Sequence, residues 1–567
     1  MRNHSLCRAD FASVATPAHY KRNEDDRFPI RTIDLGPADG PCEPFLTLHS
    51  SDEAPFPWVT LSHCWGGHFP LMTTVSNYEE MKRAIPMDTL PLLFQDAVTI
   101  TKKLKLRHLW IDSLCIIQDS PEDKERELSK MGNIYRNAML SIAADASENC
   151  SQRILKPRHP EFVSINVPFQ SSRWGVSRNF FIRPVVSNWD TGLIWGSRLN
   201  ERAWVLQENL LARRTLHYCE QEMLWECRVL CTAESNLTPV NTSRSMRLGR
   251  DDQFIYKSYL FLLQTLTAPD KAGEARETMY MRYYAIIENY TSRKLTKPED
   301  RLPAFSGLAS WFQVQLDDTY QAGLFTNDLL RGLFWETRDR LTAKYPATYR
   351  APSWSWASIE APMKFIFLRI GGLARTCHAE VLNVETHSWS KERTPTREKD
   401  HQVRDRDTPS EETSSPHPKW LAPPTTVTTT TAVAKHKSSN FSQVSDGLLT
   451  LRGPWRDAQA WQVSKPEDTT LTLEDLPPGN NGEMFCKFDV ASPATVLEHE
   501  RNRENIGFLH ISSDQIPAME EGHVDTLILE RTGRNLDEYR RIGIAAMSSS
   551  KVASATEKWG RKTVRIV

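Results

Sequence analysis

From Phe56 to about Cys231, short apolar runs alternate with stretches whose apolar residues recur every three or four positions. The run Trp58-Val59-Thr60-Leu61-Ser62-His63-Cys64-Trp65 reads as a strand that breaks at Gly66-Gly67. Pro91 then opens a helix with Phe94, Ala97, Val98, Thr101 and Leu104 at helical spacing; proline suits a first turn, whose N–H has no partner. His108 to Asp112, followed by the apolar Leu114-Cys115-Ile116-Ile117, gives a second strand candidate. Ser120-Pro121-Glu122-Asp123 is a helix start with a cap, a proline and acids beside the positive end of the helix dipole. Leu128, Met131, Ile134, Tyr135 and Ala138 share one face of that helix. Met139 to Ala144 reads as a third strand, Glu201 to Leu211 as a helix, Arg214 to Cys219 as a fourth strand and Met223 to Cys227 as a short fifth.

Apolar strands alternating with helices imply parallel strands buried between helices, so the fold expected for residues 28–235 is α/β, a doubly wound and mostly parallel sheet. Ligands of such sheets bind beyond the carboxyl ends of the strands, which directs attention to the segments after Trp65, Asp112 and Ala144. Residues 1–27 read as an irregular leader, and 236–384 as a mainly helical extension containing Trp354-Ser355-Trp356. The 385–445 stretch, with mixed charges, Pro423-Pro424 and a threonine tract, has too few large apolar residues to offset the entropy of ordering and is expected as a disordered linker. Leu448 to Leu451 and Thr526 to Leu529 read as strands of a small β-rich C-terminal unit over 446–567.

Charge narrows the partners. The 567 residues carry 70 Lys and Arg against 71 Asp and Glu, a net charge of -1, which argues against nucleic acid or an anionic membrane as a partner. There is no apolar run of membrane-spanning length and no secretory h-region, so the expected setting is cytoplasmic with the ten cysteines reduced. Cys227 and Cys231 lack a second pair at zinc-finger spacing, and no metal is assigned. No P-loop occurs.

Several ordered blocks together carry a resemblance. Phe56 to Gly66, Leu109 to Asp119, the Met131, Ile134-Tyr135 and Asn137-Ala138 group, and Glu201-Arg202-Ala203-Trp204-Val205-Leu206-Gln207-Glu208 resemble the successive motifs of the fungal heterokaryon-incompatibility (HET) domain. Tyr320 to Leu324 and Ala351 to Ala357 are similar to segments common after that domain. His63 stands where the family often has Tyr, and Ala203 where Gly is common.

The resemblance implies a role in fungal non-self recognition and programmed cell death, a form of innate immunity, with an incompatibility partner protein and homo-oligomerisation. It also implies a fold related to Toll/interleukin receptor (TIR) domains, flavodoxin-like in winding, some of which cleave NAD. In those, the key carboxylate lies four residues after a Trp, a spacing matched by Trp204 and Glu208, which share a helical face. On this analogy Glu208 is the catalytic residue and NAD the substrate, with no permanently bound cofactor. The competing account of Glu208 is a surface acid that caps or pairs with Arg202 or Arg213. Asp112 would hold a ribose hydroxyl or orient Arg202, against the bland alternative of capping its own turn. Ser62, Trp65 and Gly66 lie where the first strand ends; Trp65 would stack on a base, or simply pack. Arg202 suits phosphate or carboxylate, against an ion pair with Glu201, Asp112 or Glu226. The alternative function is a non-enzymatic signalling module acting by homotypic assembly or partner recruitment, and the sequence leaves that choice open.

Overall fold

The computed structural model describes residues 28–37, 40, 43–50, 54, 56–67, 71–158, 160–163, 165–171, 175–182, 196–228, 231–234, 257, 272–366, 375–388, 444–457, 461–465, 468–473, 483–490, 503–516, 521–549 and 559–567. The expected leader lies outside them, as does most of the expected linker. Two compact units divide the chain: Met1–Met279 with Asn289–Asp317, and Tyr280–Glu288 with Asp318–Val567.

The first unit is built on an eight-stranded sheet. Its strands are β1 (Arg31–Asp34), β2 (Phe45–Leu48), β3 (Trp58–Ser62), β4 (His108–Trp110), β5 (Leu140–Ala143), then, after a separate hairpin β6 (Ile165–Ser171) and β7 (Val176–Ile182), β8 (Arg214–Tyr218), β9 (Met223–Cys227) and β10 (Cys231–Ala233). The spatial order is β10-β9-β8-β5-β3-β4-β1-β2. Three pairings, β3 with β4, β3 with β5 and β5 with β8, are parallel. The other four are antiparallel, which corrects the expectation of a mostly parallel sheet. Burial gives the reason. Every residue of β3 and β5 is buried, as strands covered on both faces must be, whereas β8 and β9 alternate buried and partly exposed residues and are joined by a short turn.

Helix α1 (Leu92–Lys103) connects β3 to β4 and buries Leu93, Phe94, Ala97, Val98 and Ile100. Helix α2 (Pro121–Asn137) connects β4 to β5; Ser120 accepts the Asp123 N–H at 3.2 Å as its cap, and Met131, Ile134 and Tyr135 face inward. Helix α3 (Ala203–Leu211) precedes β8 and is buried at every position but Trp204. The apolar Leu114 to Ile117 run is not a strand. Residues Asp112–Cys115 form one helical turn after β4, and Leu114 and Cys115 are apolar because the turn is buried.

The 236–384 segment contains helix α4 (Ala272–Thr291) and helix α5 (Ser306–Leu316), but strands as well: β11 (Tyr320–Gln321), β12 (Leu324–Phe325), β13 (Trp335–Thr337), β14 (Met363–Phe365), β15 (Arg375–Cys377) and β16 (Glu380–Ser388). In the second unit β15 and β16 join β17 (Val444–Asp457), β18 (Trp461–Lys465), β19 (Asp468–Leu473), β20 (Glu483–Phe488), β21 (Ile506–Ile516), β22 (Glu521–Arg531), β23 (Glu538–Ser549) and β24 (Gly560–Ile566) in one ten-stranded sheet. The β-rich unit therefore reaches back across the expected linker, whose two ends pair as β16 with β17. Trp354 and Trp356 are fully buried on a turn, with the Trp356 indole N–H on the Gly323 carbonyl at 2.8 Å, so the paired tryptophans are packing residues.

In the first unit α2 and α5 cross at glycines. A Cβ on Gly132 would lie 2.7 Å from the Gly307 Cα, and the reverse is equally true. Gly132→Ala and Gly307→Ala should each destabilise the protein by about 1–3 kcal/mol through overpacking, read as a lower melting temperature, while alanine at Gly67, where no atom lies within 4 Å, should cost only its backbone strain.

Candidate functional site

The parallel strands deliver their carboxyl ends to one place. β3 lies between β4 and β5, so the segments that follow β3 and β5 lead away to opposite sides of the sheet. Ser62 is the last residue of β3, and its Oγ donates to Glu208 Oε2 at 2.5 Å. Glu208 is only 5% exposed and is no surface acid. Helix α3 carries it inward because its surroundings are Val205, Leu206, Leu210 and Leu211, all buried. Burial pushes its carboxyl up to about 7, against the opposing pull of the Arg202 guanidinium and hydrogen bonds from Ser62 and Tyr135. The single Tyr135 hydroxyl hydrogen is shared with the Leu61 carbonyl, 3.2 Å away.

Arg202 stands at the N-cap of α3, and its Nη1 donates to the His63 carbonyl. The carboxylates weighed for it are engaged elsewhere: Glu201 pairs with Lys294 at 2.8 Å, Glu226 with Lys257 at 3.3 Å, and Asp112 takes the Trp65 indole N–H at 3.0 Å. Asp112, the first residue inside its turn, also accepts the Ser113 N–H at 2.8 Å. Gly66 has φ +76°, and a Cβ there would overlap Asn149, so this turn needs glycine for the approach of its own chain. Trp204 directs its indole N–H to Asp300 Oδ2 at 3.2 Å. The structure thus groups Ser62, Arg202 and Glu208 at the end of β3 and joins Trp65 to Asp112 beside them, while the polar edge of Trp204 turns to Asp300.

Sequence reasoning missed four contributors. His63 is buried edge-on to Phe94, with Nδ1 3.9 Å from Asp112 Oδ1; burial holds its ring below the usual histidine range and so neutral. Tyr135 was assigned only to packing. Asp145 and His217 lie 2.8 Å apart with both side chains 1% exposed. A polar residue immediately after an apolar strand was the available signal for Asp145, and alternation along β8 for His217. Thiol chemistry is disfavoured: burial pushes Cys64 up, and Cys115 up to about 12, so both stay protonated. Among the described residues no group of three or more His, Cys, Asp or Glu could hold a metal, and no helix is long and apolar enough to cross a membrane.

Residues 58–208, from the first residue of β3 to Glu208 itself, match the family model described as Heterokaryon incompatibility protein (HET). The match supports assigning this α/β segment to the HET family and suggests a role related to heterokaryon incompatibility. No curated protein and no solved structure matches the chain.

The Glu208 carboxyl should titrate near 7, followed by carboxyl infrared bands or carbon NMR. Its folded value lies above the 4.5 of an unfolded glutamate, so its contribution to stability is full below about 4.5 and is lost as pH rises through about 7. Ser62→Ala, which deletes a donor to the charged form, should move the titration higher still; an unchanged midpoint would remove the Ser62 contact from this account.

Proposed function

We propose that this protein is an incompatibility-type effector of programmed cell death, acting with a partner protein, and that its site at the end of β3 hydrolyses the bond between nicotinamide and ribose in NAD. The observation that carries the reading is the Glu208 carboxyl, buried, ionising near neutral pH and hydrogen-bonded to Ser62 at the carboxyl end of a central parallel strand. The parallel order β4-β3-β5-β8 supports a TIR-like, flavodoxin-type winding, in which the first strand lies between the second and third.

The chemistry follows from the arrangement. As nicotinamide leaves, the ribose acquires oxocarbenium character, and a carboxylate beside it stabilises that charge. Ionised Glu208 supplies the charge, while Ser62 and Tyr135 fix the carboxylate's orientation. Arg202, whose guanidinium suits a pyrophosphate, sits close enough to influence the Glu208 carboxyl. Trp65 and Asp112, already joined, offer a ring face and a hydroxyl acceptor at the rim.

The rival, non-catalytic signalling by homotypic assembly, draws on one observation: Ile165, Phe180 and Ile182 on the β6–β7 hairpin are 67%, 53% and 58% exposed. The two readings separate in one experiment. Purified protein at high concentration should release nicotinamide from NAD, and Glu208→Gln should lower that rate by about 10²–10³-fold with an unchanged melting profile. The kcat/KM should rise with pH through about 7 as Glu208 of the substrate-free protein ionises. A Glu208→Gln variant that remains fully toxic on overexpression would leave assembly as the function.

A further inference from the structure

A second buried polar chain stands next to the Glu208 site without entering the chemistry proposed for it. His217, on β8, lies in register with Ala143 at the end of β5. Its Nδ1 is 2.8 Å from Asp145 Oδ2 and its Nε2 is 3.3 Å from Glu226 Oε2, with none of these side chains more than 3% exposed. A neutral imidazole has one N–H, so it can serve one carboxylate and must turn a lone pair on the other. Only the imidazolium satisfies both.

The surroundings fix which groups take part. Asp145 comes from the segment after β5 and Glu226 from β9; Lys257 stands behind Glu226 at 3.3 Å and is held by Asn209 Oδ1 at 2.7 Å. Glu222 and the thiols of Cys219 and Cys231 lie in the same region, and burial pushes the Cys219 thiol well up, which keeps it neutral. The remaining oxygen of Asp145 accepts from Ser197 Oγ at 2.6 Å and from Asn200 Nδ2 at 3.1 Å. Ser197 Oγ accepts in turn from the Asn200 N–H at 3.3 Å. One helical turn, Leu199–Glu201, leads from there to Arg202, which reaches the His63 carbonyl.

We infer that Asp145 and His217 are positioning residues of this site: His217, held between two carboxylates, fixes Asp145, and Asp145 fixes the 197–202 turn that sets Arg202 against the end of β3. The inference deepens the proposed use of Glu208 and rests on that reading for its consequence, whereas its geometry is measurable without substrate. Burial opposes a charge on His217, but Asp145 and Glu226 outweigh it and raise its pKa above the usual 6.5. The contribution of the pair to the turn is therefore full below about 6.5 and is lost as pH rises through the higher folded value.

The test uses the full chain labelled with 15N in histidine, with long-range proton–nitrogen spectra and hydrogen exchange followed from about pH 6 to about pH 9. At about pH 6 both His217 ring nitrogens should carry protons, and opening of the 197–202 peptide, corrected for intrinsic exchange, should increase as His217 titrates with a midpoint above 6.5. Asp145→Asn should abolish that pH step. Ser197→Ala, a milder change, should raise opening of 197–202 at every pH while leaving the His217 titration in place. A His217 midpoint at or below 6.5, or opening of 197–202 that ignores the His217 titration, overturns the inference whatever the activity. If the coupling holds while Glu208→Gln leaves nicotinamide release unchanged, the positioning arrangement stands and the catalytic reading of Glu208 falls.

Discussion

The first unit is organised around the cost of keeping the Glu208 carboxyl out of water. A carboxylate moved into an apolar interior either neutralises or acquires partners that hold its charge. Here both options are held near balance: burial drives it toward the neutral form, and Arg202, Ser62 and Tyr135 pull it back. Each partner comes from a different element. Ser62 ends β3, Tyr135 lies in α2, and Arg202 caps α3, so the position of the carboxyl depends on the packing of the strand against both helices. The glycine crossing of α2 and α5 and the Gln207 bond to the Gly307 N–H, at 3.1 Å, support the same helices from behind.

That dependence also accounts for the two kinds of strand in one sheet. Parallel strands collect their carboxyl ends on a single edge and are buried on both faces, conditions a low-dielectric polar site needs. The antiparallel pairs at either side need neither. Alternating residues let β8 and β9 turn polar side chains inward at chosen positions, and His217 and Glu226 use this to place charge beside Asp145 without disturbing β5. The second unit follows a different logic. Its ten-stranded sheet and its buried tryptophans are packing structures, with Arg541 stacked 3.2 Å above the Trp335 ring and paired with Asp489 at 3.0 Å.

What the sequence made legible were features with a period. The core strands, the three helices between them and the Ser120-capped start of α2 all follow from local spacing. Local spacing also misled where it was ambiguous: Leu114 to Ile117 is as apolar as a strand, and only its burial within a turn distinguishes it. The expected linker boundary at 385 falls inside β16, because Glu385, Thr386, His387 and Ser388 are all polar and Glu385 and His387 are exposed. In the proposed site, the Trp204–Glu208 spacing drew attention to α3, yet Glu208 accepts from Ser62, 146 positions earlier, and Trp204 turns its indole N–H to Asp300. Pairings across 72 positions, such as Asp145 with His217, leave no periodic trace, because each residue alone is an ordinary polar position at the end or side of a strand.

The near-neutral ionisation of Glu208 bears on how the proposed reaction would begin. The nicotinamide ring of NAD carries a positive charge before cleavage, and an opposite charge nearby favours the ionised form of a carboxyl. Substrate entry would then lower the Glu208 pKa and drive off its proton, so that the charge which stabilises the ribosyl cation is generated by the ligand that needs it. Without substrate the protonated form predominates below about pH 7, and a neutral acid costs less to bury than a charged one. A carboxyl placed at the surface would be ionised at all times and would gain little from substrate. One fixed deep in the interior without Ser62 and Arg202 would resist ionising even when substrate arrived. The intermediate value follows from placing the acid at the end of a buried parallel strand, where two hydroxyls and the charge of one guanidinium act on it.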